Sequence, residues 1–205
     1  MTIKKLHYVS GLTLSIFIGL HLFNHFYSVF GADRHIEVMN TLRPIYRNLF
    51  AEAILLSAVG IQIVSGLRLV RTSRNTAMTN VEMLHTLSGL YLAIFLIIHV
   101  GAVLSGRLFL KLDTNFYFGV AGLNTFPFSL FFIPYYGLAI FAFFGHVAAI
   151  HHKKRKQDIL GITPGGQASA ILVIGLLITI VLFYGLTNHF KGVEIPKQYE
   201  VLIGK

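Results

Sequence analysis

The chain has no cysteine. That absence excludes iron–sulfur clusters, thiolate-ligated haem, covalently attached haem and disulfides. Charge is scarce as well: only 12 % of the 205 residues are charged and 8 are Asp or Glu. Few of those acids fall inside an apolar run, which counts against a transporter that relays protons between intramembrane groups. Long polar stretches are missing too. No sizeable water-soluble domain is expected to hold a flavin or a nucleotide, so redox chemistry in water is left to partners. What fills the chain is apolar, at 55 % hydrophobic residues, in runs longer than a bilayer requires.

The expected fold class is all-α, an integral membrane bundle of five transmembrane helices in a single domain over residues 1–205. The spans fall near 6–30, 50–70, 83–105, 129–151 and 168–190. Each is long enough for about 30 Å of hydrocarbon, and the unbroken runs read as helices, not as barrel strands. Lys4 and Lys5 precede span 1, Arg68, Arg71 and Arg74 close span 2, and Lys153, Lys154, Arg155 and Lys156 follow span 4. This bias places the N-terminus inside, in cytoplasm or matrix, and the C-terminus outside. The net charge of +9 is then a topology signal and a contact with anionic membrane lipid, with no nucleic-acid partner. No cleavable signal is expected, because the first apolar run is a full span that carries histidines.

Between the spans, 31–49 reads as an outer loop with some helix, and 106–128 as an aromatic lid in the outer interface. Asn80 is the expected N-cap of span 3. Pro134 is a first-turn or kink residue, 161–166 a linker, and the tail after Lys191 carries no signal.

One pattern stands out. His7 and His21 lie fourteen positions apart, as do His85 and His99, and the fifteen-residue stretches they bound align without a gap. Eight positions are identical, including both histidines, a Ser-Gly-Leu and an Ile-Phe. Fourteen residues of helix return a side chain to within about 40° of the same face, roughly 21 Å along the axis. Two such helices facing each other offer two imidazole pairs, one above the other, as two axially ligated haems require. His21 and His99 are deep in spans that run in the same direction, so haem ligation is favoured there over interhelical hydrogen bonding. His7 and His85 lie near the span ends. A second haem, anchoring at the interface, and a leftover of duplication all remain open for them. His146 is a weaker ligand candidate, with no histidine opposite it in span 2. His25, one turn beyond His21, faces a quinone, a haem propionate or a neighbouring helix. His151, His152 and His189 read as interfacial, and His35 as a loop residue.

The stretch from Gly11 through Phe17 to His21-Leu22-Phe23-Asn24 resembles the first span of the haem b membrane-anchor (cytochrome b) subunits of succinate dehydrogenase and fumarate reductase, in their five-helix, single-polypeptide form. Glu52 at the start of span 2, the run Gln62-Ile63-Val64-Ser65-Gly66-Leu67-Arg68, and then Arg71 and Arg74 are similar too. His21, Gln62, His99 and His146 are spaced as that family's four haem ligands. The resemblance implies one haem b between spans 1 and 3, on His21 and His99, and another between spans 2 and 4. Gln62 stands where the second site needs a histidine, and a glutamine amide is a poor axial ligand. The chain is therefore expected to hold one haem, or two if His7 and His85 bind the second.

The resemblance further implies electron transfer between a quinone and partner redox subunits, with Glu52 and His25 as quinone-site candidates and no catalytic residue of the chain's own. Expected partners are a flavoprotein and an iron–sulfur subunit, or a larger respiratory complex, in a bacterial or mitochondrial inner membrane. The alternative is a structural or accessory subunit that keeps the fold with one haem or none.

Overall fold

The structure is a computed structural model that describes residues 1–73 and 78–205, Ser73 by its backbone only. The expected boundary role of Arg74 lies outside the described residues. Among the described residues 78 % are helical and none forms a strand. The α-helices are α1 (Ile3–Phe26), α2 (Ala32–Tyr46), α3 (Leu49–Ser73), α4 (Asn80–Leu108), α5 (Phe116–Val120), α6 (Ser129–Lys154) and α7 (Pro164–Leu186), with 3-10 segments at Tyr27–Phe30 and Lys197–Ile203. Five helices are long and apolar enough to cross a membrane: α1 with its 3-10 extension, α3, α4, α6 and α7. The chain is an all-helical, multi-pass membrane protein, as its composition leads one to expect.

Local chemistry sets the helix ends. α4 is capped by Thr79 and not by Asn80: the Thr79 hydroxyl accepts from the Glu82 backbone N–H while the Glu82 carboxylate accepts from the Thr79 N–H. This reciprocal box satisfies two otherwise orphaned donors, and Asn80 becomes the first helical residue. α7 begins at Pro164, inside the expected linker, because Thr163 caps it and proline suits a first turn. It stops at Leu186, four residues short of the expected end, where Asn188, His189 and Phe190 turn to positive φ. Pro134 sits inside α6, near its start.

The five long helices close into a ring. α1 packs on α3, α3 on α4, α4 on α6, α6 on α7, and α7 back on α1. α1 and α4 share no extended backbone contact and face each other across the middle. α6 approaches its neighbours closely because its buried face is small, made of Ala139, Ala142, Gly145, Ala148 and Ala149. Small residues let helices meet by van der Waals contact where no hydrophobic force is available. Large apolar side chains point the other way: Leu12, Ile16, Phe23, Val64, Ile94, Ile97 and Leu176 are all at least half exposed. Around a helical ring, such a surface is solvated by lipid.

The end of the ring opposite the N-terminus is roofed by chain that reads in the sequence as loop. The segment 31–49 is mostly the helix α2, with His35 and Met39 buried. The expected aromatic lid contributes Phe116, Val120 and Leu123 to a buried hydrophobic cluster, against Leu182 and Leu186 of α7. The C-terminal tail, silent in the sequence, is pinned by Tyr199. That ring is 1 % exposed, its hydroxyl donates to the Asp113 carbonyl at 3.0 Å, and it stacks on Tyr117.

Candidate functional site

His21 on α1 and His99 on α4 meet across the ring, with their imidazole centres 6.1 Å apart and their planes at 68°. Each imidazole lies on a phenylalanine one helical turn before it. Phe17 stacks on His21 with planes 20° apart, and Phe95 on His99 with planes 13° apart. These phenylalanines are the Phe of the Ile-Phe shared by both copies of the repeat. Residues four apart share a helix face, so the repeat encodes a ring and its platform together. Tyr136 of α6 closes on the edge of His99, and Tyr46 at the end of α2 on the edge of Phe17.

A polar chain leads from this pair toward the roof. His25 Nε2 is 3.1 Å from His21 Nε2, His25 Nδ1 is 3.1 Å from His35 Nε2, and Asn24 Nδ2 is 3.2 Å from that same His35 nitrogen. His25 therefore turns toward two histidines of this chain. His35 sits on a helix, 2 % exposed, where the sequence reads as loop. Burial, reinforced by the nearby His21 and the Arg43 guanidinium, lowers its pKa to about 4. Asn24 Oδ1 and His35 Nδ1 are buried with no partner among the described residues.

At the N-terminal end of the bundle the histidines are arranged differently. His7 lies against α3, its Nδ1 2.9 Å from Ser65 Oγ and its Nε2 3.2 Å from Gln62 Nε2. His85 stacks on His146 of α6, with ring centres 4.4 Å apart. Among the described residues no ring contact joins His7 to His85. Each histidine pairs within its own hairpin, α1 with α3 and α4 with α6.

The two hairpins are related residue by residue. Ser10 donates to Gln62 Oε1 at 2.6 Å, and a Cβ on Gly11 would meet the Gln62 amide at 3.3 Å. In the other hairpin Ser88 Oγ lies 3.3 Å from His146 Nδ1, and a Cβ on Gly89 would meet His146 at 3.1 Å. The Ser-Gly of the repeat thus makes a small-residue seat in both hairpins. Gln62 occupies one seat and His146 the other.

Glu52 does not stand free at the far end. Arg107 of α4 grips its carboxylate through both terminal guanidinium nitrogens, which ties α3 to α4. Arg43 of α2 and Arg47 just past its end share Asp113 in the same region. His151, in the last turn of α6, contacts Gln167, and His189, just past α7, reaches the Val29 carbonyl. Comparison with protein-family models, with curated proteins and with solved structures gives no match to this chain.

An ion bonded at about 2 Å to one nitrogen of each of two opposed imidazoles holds the ring centres about 6 Å apart, close to the separation of His21 and His99. The stacked rings of His85 and His146, at 4.4 Å, leave no such room. Among the described residues no group of three or more His, Cys, Asp or Glu is disposed around a metal ion. Two imidazoles that meet in this way would suit iron whose other ligands come from a macrocycle. A neutral imidazole has one lone pair for acceptance, so a metal on His21 Nε2 would replace its contact with His25.

Proposed function

We propose that the chain is a membrane cytochrome b, holding one haem b between His21 and His99 and passing electrons between a quinone in the bilayer and a partner redox protein. The observation that carries this reading is the pair of imidazoles meeting at 6.1 Å across the centre of a helical ring, from two helices without extended backbone contact. An iron porphyrin held by two imidazoles supplies a six-coordinate, low-spin centre that exchanges single electrons and disfavours oxygen binding. Phe17 and Phe95 fix the planes of the two imidazoles. The helical ring and Tyr136 exclude water, so burial sets the energy of the charge change. In this reading the N-terminus faces the cytoplasm or matrix, in line with the basic residues at that end. Glu52 and His25, near the far end, are the groups nearest to hand for a quinone and its protons.

A single haem is favoured over two because Gln62 takes the seat that His146 takes in the other hairpin. Its amide binds Ser10 and approaches His7, so this layer is a hydrogen-bonded cross-link. The same observation supports a second reading, in which the chain is a structural or accessory subunit of a respiratory complex that keeps the fold with one haem or none. The resemblance to succinate dehydrogenase anchors favours the first. Purified protein in liposomes, mixed with a reduced quinone, distinguishes them. The first reading expects a b-type band that quinol reduces, and co-purification of flavoprotein and iron–sulfur subunits. A band that quinol leaves oxidised, or no band at all, overturns the first reading and supports the accessory one.

A further inference from the structure

On the lipid-facing side of α1 and α3, near the N-terminal end, a groove of about 280 Å³ is lined by Ile3, Leu6, Gly60, Ile61, Val64 and Arg68, with Ser65 at its floor. Gly60, Val64 and Arg68 lie at successive i, i+4 positions, so the groove follows one face of α3 for two turns, about 12 Å. At its deep end Gly60 presents no side chain, and nothing lies within 4 Å of the place a Cβ would take. The walls are aliphatic. At the shallow end stands Arg68, whose guanidinium has no ion-pair or hydrogen-bond partner among the described residues. Lys4 and Lys5, exposed at the start of α1, add positive charge beside that rim.

We infer that this groove binds one anionic phospholipid, with an acyl chain along Gly60, Ile61 and Val64 and the headgroup phosphate on Arg68. The groove offers no hydrogen-bonding group at its deep end for a polar ligand, because Ser65 is engaged by His7 Nδ1 and by the Ile61 carbonyl. What it offers is an apolar slot that ends on a cation at headgroup depth. A phosphodiester on a hydrocarbon chain matches both ends, and the arginine fork matches phosphate oxygens. This assignment does not depend on the haem reading.

The test uses the full chain in nanodiscs made of equal parts phosphatidylcholine and phosphatidylglycerol with identical acyl chains. Lipids that remain after transfer to detergent are counted by native mass spectrometry. The wild-type chain should retain one phosphatidylglycerol in preference to phosphatidylcholine. Arg68→Gln should weaken retention roughly fivefold, the loss expected for one interfacial cation, and Arg68→Lys should weaken it less. Gly60→Phe, which fills the slot from the lipid side, should abolish it, while Arg71→Gln should leave it unchanged. Equal retention of both lipids, an equal loss in Arg68→Gln and Arg71→Gln, or an uncharged quinone in the slot would overturn the assignment.

Discussion

The same fifteen-residue pattern begins at His7 and at His85, yet the two layers of histidine it supplies are wired differently. At the far layer His21 and His99 look across the ring, each on its phenylalanine, and bridge the two hairpins. At the N-terminal layer His7 and His85 look along the ring, each into its own hairpin, and meet Gln62 and His146. The difference shows that a repeat fixes which residues share a face but not which neighbour that face meets. A layer whose rings cross the centre can hold a group between helices, whereas one whose rings turn sideways joins helices already in contact.

The contrast breaks most sharply with single histidine replacements. His99→Ala or His21→Ala should remove the b-type absorption band of the purified protein entirely, while His7→Ala and His85→Ala should leave it in place. Loss of half the band in His7→Ala or His85→Ala would instead show a second haem at the N-terminal layer. Next in size is Gln62→Ala, which leaves His7 Nε2 without its amide partner and returns the Ser10 hydroxyl to the Leu6 carbonyl. It should lower stability by about 1–3 kcal/mol, read as a fall in melting temperature in detergent, with haem content per chain unchanged. Glu52→Gln weakens the Arg107 clasp between α3 and α4. A partly exposed pair of this kind is worth about 1 kcal/mol, so thermal unfolding should shift slightly and the absorption band not at all.

A further effect is one of pH. The folded His35 has a pKa of about 4, against 6.5 as its ordinary value. Between those values the unfolded chain binds the proton and the folded chain does not. Stability that is full above pH 6.5 is therefore lost progressively as pH falls toward 4. His35→Asn should flatten this dependence in melting experiments run between pH 7.5 and pH 4.5, about the window that the two pKa values define. An unchanged slope would mean that His35 is not the group responsible.

Much of the fold is legible from hydropathy alone, because a span needs only length and apolarity, and the five spans show both. The deep pair is legible too, since His21 and His99 are separated from the membrane surface by whole turns of apolar residues. The platforms were within reach as well: Phe17 and Phe95 stand four residues before their histidines in both copies. The partners at the N-terminal layer were not. They depend on the order of helices around the ring and on how each is rotated, and neither is written in residue spacing. The resemblance pairs Gln62 with His146 as positions of one site, but the Ser-Gly seat that each occupies in its own hairpin is not written in residue spacing. The buried His35 escaped notice because a polar, proline-containing segment reads as loop until its packing on α1 is seen.

The central claim is that the imidazoles of His21 and His99 hold one iron porphyrin across the ring. Its most direct test is extraction and counting of haem from the full chain purified in mild detergent, alongside a reduced-minus-oxidised absorption spectrum. The account predicts one non-covalent haem b per chain with a low-spin, bis-imidazole spectrum. A preparation that is folded, helical and free of any porphyrin band would contradict it.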